Sequence, residues 1–226
     1  MRRRIDVLYL LALAALVFAI PPTFHGDEAM QIYMSHDFVT AFVERNPSAL
    51  VTQPPYPVDS SQQLRLINGS VNRYAIGLSW QLAGFTADDL PPQPGWNWQQ
   101  DYDTNVSLGY VPTPALLQAA RFPSTLFLAL SVVVMFTLGW QFGGRLAAYL
   151  VSALYAVNPI ILLNGRRAMQ EGLMLFFGLL VILLAALICK RTNLIPPASS
   201  RATCGYVTQA GRRGIRTPLR VYVGEG

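Results

Sequence analysis

Two adjacent carboxylates, Asp27 and Glu28, are the residues of this chain best placed to do chemistry. They lie in the string PPTFHGDE, residues 21–28, just beyond an apolar N-terminal segment. Charges near hydrocarbon cost free energy, about 2.5–3.5 kcal/mol each at the centre of a bilayer and less at its edge. Carboxylates in such positions serve in acid–base chemistry or hold cations. We therefore take Asp27 and Glu28 as candidate catalytic residues.

Two simpler interpretations apply to the same residues. Apolar residues recur at helical spacing over 27–44, so both acids would lie in the first turn of an amphipathic helix, where negative charge is favourable. Capping explains one acid more easily than two. A divalent metal is the other alternative, and its candidate ligands form a loose cluster: His25, Asp27, Glu28, His36 and Asp37. Because the two histidines are not four residues apart on a helix, no metal site or other cofactor is predicted.

Arginines supply the second type of functional candidate. Arg166 and Arg167 lie in a short loop, 164–171, and Arg121 precedes an apolar run. Guanidinium groups bind phosphate oxygens through two parallel hydrogen bonds, so Arg166 and Arg167 are candidates for holding the phosphate of a lipid-linked substrate. The alternative is that Arg166 and Arg167 are interfacial anchors whose charge Glu171 balances.

The composition indicates a membrane protein. Hydrophobic residues make up 52% of the chain and charged residues 13%, about half the charge of an average soluble domain. The net charge of +5 comes from arginines that flank apolar runs, a pattern that does not favour nucleic-acid binding. Two cysteines without a CxxC motif support neither a disulfide framework nor a zinc cluster.

Four apolar segments approach the roughly 20 residues that a helix needs to cross a bilayer. They are residues 5–20, 123–142, 146–163 and 172–189. The predicted fold is therefore an all-α integral membrane protein with four transmembrane helices. Three arginines before the first segment also fit a cleavable signal, but the two prolines after it, Pro21 and Pro22, favour an uncleaved helix.

The distribution of basic residues predicts the orientation in the membrane. With a cytoplasmic N-terminus, six basic residues lie inside: Arg2, Arg3, Arg4, Arg145, Lys190 and Arg191. Three lie outside: Arg121, Arg166 and Arg167. The positive-inside rule favours this arrangement. We expect the membrane to be the cell membrane. This arrangement places Asp27, Glu28 and the three outer arginines on one external face.

The segment between the first and second spans is too long to be a simple connector. Residues 27–44 and 64–82 have helical spacing and predict amphipathic surface helices, whereas 46–61 and 91–102 are irregular and rich in proline and aromatic residues. Gly143-Gly144-Arg145 predicts a tight antiparallel hairpin of the second and third spans. The predicted organisation is a first transmembrane helix (1–20), an external loop (21–122), three transmembrane helices (123–189) and a tail (190–226).

The tail, residues 190–226, is basic, weakly hydrophobic and without clear periodicity, which is typical of disorder. One interpretation is a cytoplasmic tail attracted to anionic lipid. The other is that the residues after Ile188 come from a shifted reading frame, so that the chain is the N-terminal portion of a larger enzyme.

Motifs in a fixed order carry a family resemblance. GDEA (26–29) follows the first span, AARFPS (119–124) opens the second, GGR (143–145) turns it, and NP (158–159) precedes GRRAMQE (165–171). Over roughly residues 1–190 the chain resembles the GT-C glycosyltransferases. It is most similar to the phospholipid-carrier-dependent branch, which includes protein O-mannosyltransferases and the lipid A aminoarabinose transferase. It departs from the family in having four predicted spans, where the family usually has nine or more.

The resemblance implies transfer of a sugar, a hexose or an aminopentose, from a polyprenyl-phosphate donor to a protein or lipid acceptor outside the membrane. Asp27 would then be the base that activates the acceptor hydroxyl, with Glu28 as its acidic neighbour. Arg121, Arg166 and Arg167 would lie near the donor phosphate. The alternative function is a non-catalytic polytopic membrane protein whose external loop binds a partner or membrane lipid.

Overall fold

The computed structural model describes residues 2–19, 21–58, 60–92 and 95–191, and the regular structure in these ranges is helical. Of the described residues, 74% are helical, which confirms the all-α class. The predicted tail lies outside the described residues beyond Arg191. The α-helices are α1 (Arg2–Ala19), α2 (Gly26–Met34), α3 (Ser61–Ile67), α4 (Ser70–Leu82), α5 (Tyr102–Ser107), α6 (Pro114–Ala156), α7 (Pro159–Gly165) and α8 (Glu171–Arg191).

By length and composition, two of the described helices could cross a membrane, α6 and α8. The helix α1 is apolar after its first turns but carries three arginines and Asp6. The predicted third span, 146–163, is divided between the end of α6 and the short helix α7, with a break at Asn158 whose side chain caps α7. The arrangement of four spans therefore stays a prediction.

A sharp turn inside α6 makes the predicted hairpin. Gly144 has φ 72° and ψ −166°, a conformation that is essentially restricted to glycine. The two arms then pack closely, since a Cβ on Gly139 would lie 2.7 Å from the Cα of Ala148. A hydrogen bond of 2.8 Å between the Ser131 and Tyr155 hydroxyls joins the arms again nearer their other ends.

The N-terminal helix α1 lies against this hairpin through polar and apolar contacts. Arg145, at the turn, pairs with Asp6 at 2.8 Å, and the Tyr149 hydroxyl also donates to that carboxylate. Tyr9 donates to the backbone carbonyl of Tyr149 at 2.7 Å. Farther along, Val17 packs in an apolar cluster with residues of both arms. The ion pair neutralises the one carboxylate within α1.

The long segment 21–122, which was predicted to be external, contains helices where they were expected, but with different ends. The helix predicted over 27–44 ends as α2 at Met34, and a turn and a π-helical stretch (Val39–Val43) follow. The helix predicted over 64–82 is interrupted between α3 and α4. The side chain of Asn68 donates to the Leu64 carbonyl at 3.0 Å and accepts from Gln31 at 2.7 Å, which ends α3 and holds it on α2.

A proline inside α6 creates the contact that seats α4. Pro123 has no N–H, so the carbonyl of Ala119, four residues earlier, lacks its helical donor. The hydroxyl of Ser79 on α4 donates to this carbonyl at 2.7 Å. Nearby, Ile76 and Trp80 of α4 are buried in a cluster that includes Leu116 of α6. Helix α4 is thereby fixed to the first arm of the hairpin.

Candidate functional site

Both predicted acids lie in the first turn of α2, as the periodicity indicated. His25 is the N-cap residue in extended conformation. Its backbone N–H donates to Glu28 Oε2 at 3.0 Å, and its Nδ1 accepts from the Asp27 backbone N–H at 3.4 Å. This reciprocal capping box explains why the helix begins here. The two adjacent acids then point to different environments.

Glu28 is a fully buried junction between three segments. Its side chain has no exposed surface, and both oxygens accept from Arg121, Oε1 from Nε at 2.8 Å and Oε2 from Nη2 at 2.6 Å. Oε1 also accepts from the backbone N–H of Ala168, in the loop before α8, at 2.7 Å. A carboxylate held by four donors binds its neighbours rather than an acceptor hydroxyl. The geometry therefore assigns Glu28 a positioning role.

Arg121 completes this junction on α6. Its Nη1 donates to the carbonyl of Pro22 at 2.8 Å, and Nη2 donates to that of Thr23 at 3.3 Å. The guanidinium thus fixes the segment that connects α1 and α2 against α6. Because Glu28 forms a two-pronged ion pair with it, the charge of Arg121 is already compensated.

Arg166 is buried without a compensating carboxylate. It is 6% exposed, and its donors bind the carbonyls of Leu162 at 2.8 Å and Val17 at 3.0 Å. Within the described ranges no carboxylate lies within 4.0 Å of its guanidinium. Burial, and then the positive charge of Arg121, lower the pKa of Arg166. A buried cation in this state favours an anionic partner.

Arg121 and Arg166 line the same cavity, which has a volume of about 620 Å³. The end of α1 and one face of α6 form its walls, and most of the other lining side chains are apolar. On α6 the lining positions 114, 117, 118, 121, 122 and 125 are three or four residues apart and so share one helical face. The cavity can hold an anionic group together with an apolar one.

An apolar groove of about 720 Å³ lies along the neighbouring face of α6. Leu78, Leu82 and Phe85 form one wall, and Leu126 and Phe127 form the other. Gln118 and Phe122 line both the groove and the cavity, so the two spaces share a boundary.

Asp27 and Arg167 are not among the residues that line the cavity, although each is next in sequence to a residue of the site, Glu28 or Arg166. The side chain of Asp27 is 44% exposed, with Oδ2 3.5 Å from His25 Nδ1. The Nη1 of Arg167 donates to the Asn164 side chain at 3.3 Å, and its Nε is buried without a partner. The structure thus brings Glu28, Arg121 and Arg166 together and leaves the side chain of Asp27 exposed.

The side chains considered for a metal site are dispersed. Asp37 pairs with Arg65 at 2.8 Å and with Arg73 at 3.3 Å, whereas Glu28 is bound to Arg121. In the part of the chain that the structure describes, no group of three or more His, Cys, Asp or Glu residues is arranged to hold a metal ion.

The contributors to the site that were not anticipated include the backbone N–H of Ala168 and the side chains of Gln118 and Phe122. The helical spacing of Gln118, Arg121 and Phe122 was a usable signal for the cavity wall. No local sequence feature predicts that the backbone N–H of Ala168 takes part in the site. Comparison of this chain with protein-family models, curated proteins and solved structures found no match.

Proposed function

We propose that this protein is a membrane glycosyltransferase that takes its sugar from a polyprenyl-phosphate donor. One observation carries the proposal: a buried, uncompensated Arg166 lines a cavity that adjoins an apolar groove. A polyprenyl phosphate has these two parts, an anionic phosphate and a long hydrocarbon chain. Arg166 binds the phosphate, Arg121 adds positive potential, and the groove between α4 and α6 takes the first units of the chain.

In the reaction, the acceptor oxygen forms a bond to the anomeric carbon of the sugar. The bond from that carbon to the phosphate oxygen breaks, and its electron pair leaves on the polyprenyl phosphate. The acceptor proton passes to the carboxylate of Asp27, which is exposed and adjacent in sequence to Glu28. Negative charge grows on the departing phosphate, and the buried guanidinium of Arg166 stabilises it in a water-poor environment.

The proposal includes the membrane arrangement. Four segments cross the cell membrane, the N-terminus is cytoplasmic, and helices α2 to α5 are external. The cavity then opens at the outer boundary of the bilayer, where a lipid-linked donor presents its phosphate. Cysteine accessibility in intact cells tests this arrangement: a cysteine replacing exposed Tyr102 should react with an impermeant maleimide, and one replacing exposed Trp140 should not.

Donor binding and transfer test the proposed function separately. The full chain in nanodiscs is titrated with undecaprenyl phosphate, and binding is followed by native mass spectrometry. We expect Arg166→Gln to weaken binding about tenfold or more, as loss of a buried charge-assisted contact requires. Arg45→Gln, at an exposed arginine outside the cavity, is the matched control and should bind normally. Equal binding by the two variants would contradict the donor site.

Transfer is assayed in source membranes supplied with the polyprenyl-phosphate fraction of those membranes, radiolabelled in its sugar. We expect Asp27→Asn to abolish incorporation of label while binding undecaprenyl phosphate like the unaltered chain. Normal transfer by this variant would refute the role of Asp27. Lipid binding without any transfer by the unaltered chain would favour the non-catalytic alternative, a lipid-binding membrane protein.

A further inference from the structure

An aromatic surface lies directly beside Asp27. The ring centroids of His25 and Trp98 are 5.5 Å apart in an edge arrangement, and His25 Nδ1 is 3.5 Å from the Asp27 carboxylate. Trp98 is 64% exposed and Tyr102 is 55% exposed. An indole, an imidazole and a carboxylate are therefore contiguous at the outer surface, next to the group that we expect to act as the base.

This surface is held in place from beneath. Trp96 lies under it and packs on Gly26, where a Cβ would come within 2.5 Å of the indole ring. Its ring centroid is 6.1 Å from that of Trp98 and 6.0 Å from that of Tyr102. The contacts with Trp96 hold the rings of Trp98 and Tyr102 in place, so their exposure does not result from local disorder. Both rings are therefore exposed while Trp96 supports them from one side.

Asn105 fixes the segment that carries the exposed rings. Its side chain is fully buried, accepts from the Asn97 backbone N–H at 2.7 Å, and donates to the carbonyls of Asn97 at 3.0 Å and Asp101 at 2.8 Å. These bonds span the turn in which Trp98 lies. A preorganised surface of this kind loses little conformational entropy when a ligand binds.

The charge around the rings does not suit insertion into a membrane surface. Gln99, Gln100, Asp101 and Asp103 flank them and are exposed. Between Arg73 and Arg121 the chain carries four acidic residues and no basic one. Anionic lipid headgroups are repelled by such a segment. The ligand that fits is uncharged or cationic and rich in hydroxyl groups.

We propose that Trp98, Tyr102, His25 and Asp27 form a carbohydrate subsite, and that the acceptor of the transfer reaction is itself a sugar. The C–H groups on one face of a pyranose carry partial positive charge and pack on the negative face of an indole. The hydroxyl groups at its edge donate to the Asp27 carboxylate. A sugar stacked on Trp98 therefore presents a hydroxyl to Asp27. The acceptor assignment rests on the proposed function, whereas sugar binding does not.

Sugar binding is measured without donor, so that it is independent of transfer. The full chain in phosphatidylcholine nanodiscs is mixed with methyl α-mannopyranoside, methyl β-glucopyranoside or a serine-containing tripeptide, and saturation transfer from protein to ligand is recorded by NMR. We expect transfer to a glycoside and weaker binding of it by about tenfold in Trp98→Ala, the scale of one lost aromatic contact. Trp140→Ala, at another exposed tryptophan, is the matched control and should bind normally.

Three results would overturn the subsite. One is saturation transfer to neither glycoside, and another is a glycoside signal that Trp98→Ala leaves unchanged. The third is binding of the tripeptide alone, which would indicate a peptide acceptor. Quenching by brominated lipid gives an independent check, since Trp98 in contact with a sugar site should lie outside the acyl region. Stronger lipid quenching in the unaltered chain than in Trp98→Phe would place the indole in the bilayer and contradict the proposal.

Discussion

Replacing Glu28 with Gln tests whether its buried carboxylate holds the site together. Gln keeps the volume but has one acceptor oxygen where the carboxylate has two, and its amide N–H groups would face other donors. The donors that converge on Glu28 are two groups of Arg121 and the backbone N–H groups of His25 and Ala168. Removing one partner of a buried ion pair costs about 3–5 kcal/mol. We expect Glu28→Gln to lower the free energy of unfolding by that amount.

The neighbouring acid supplies the matched control. Asp27→Asn makes the same chemical change one residue earlier, at a side chain that is 44% exposed, and we expect it to change the unfolding free energy by less than about 0.5 kcal/mol. Both variants are unfolded at equilibrium in mixed detergent micelles, with tryptophan fluorescence as the signal. The two acids then separate by experiment: Glu28→Gln loses stability, whereas Asp27→Asn loses transfer without losing stability.

A loss below about 1 kcal/mol in Glu28→Gln would refute this reasoning, because an exposed pair contributes that little. A double-mutant cycle with Arg121→Gln identifies the source of a larger loss. If the ion pair carries the effect, the second change adds little in the Glu28→Gln background. If the two losses simply add, the stability comes from the separate contacts of each residue to the backbone.

Three further changes have defined outcomes. Ser79→Ala leaves the Ala119 carbonyl without a donor, and we expect a loss of about 1–3 kcal/mol in the same unfolding measurement. Gly144→Ala puts a Cβ in a backbone region reserved for glycine, and we expect a loss of about 1–3 kcal/mol. The hydroxyl and backbone N–H of Thr104 lower the pKa of Asp101, so this cap is fully stabilising above the ordinary pKa of 3.8 and is lost as pH falls through the lowered value. We expect a fluorescence change below pH 3.8 that is absent in Asp101→Asn, since Asn caps without titrating.

Each of these changes has a control on the same chain. Ser79→Thr keeps the hydroxyl and should keep stability, and a Ser79→Ala variant as stable as the parent would exclude the carbonyl contact. Gly178→Ala adds a methyl group in open space on α8, so an equal loss there would show that Gly144 is not special. Asp103→Asn, in the same helix as Thr104, should retain the acid response. Loss of the acid-induced fluorescence change in Asp103→Asn would show that the change does not come from the titration of Asp101.

Local sequence signals predicted the parts of the fold that depend on local physics. The acids fall in a first turn because the His25 cap and the helical periodicity lie within a few residues of them. The hairpin forms at Gly144 because that position needs a backbone conformation that other residues resist. The division of the helix over 64–82 was missed, since it depends on the side chain of Asn68 bonding to both Leu64 and Gln31.

The site was predictable in its members but not in their partners. Sequence treated Glu28 as a second catalytic acid, whereas the structure buries it against Arg121 and Ala168, contacts that span 93 and 140 positions. It also treated Arg166 and Arg167 as equivalent. Arg166 lines the cavity because tertiary packing brings the Val17 carbonyl within hydrogen-bond distance of its guanidinium. No residue near Arg166 in the sequence predicts this contact.

The ion pair between Asp6 and Arg145 has a consequence for biogenesis. The two residues are 139 positions apart, so the first helix emerges from the ribosome long before the partner of its carboxylate exists. The bond from Arg166 to the Val17 carbonyl closes later still, at a separation of 149 positions. The carboxylate of the first helix therefore has no partner until the hairpin has been made. The cavity is consequently among the last features to form during synthesis, and a nascent chain that ends before residue 166 would lack the bond that joins Arg166 to α1.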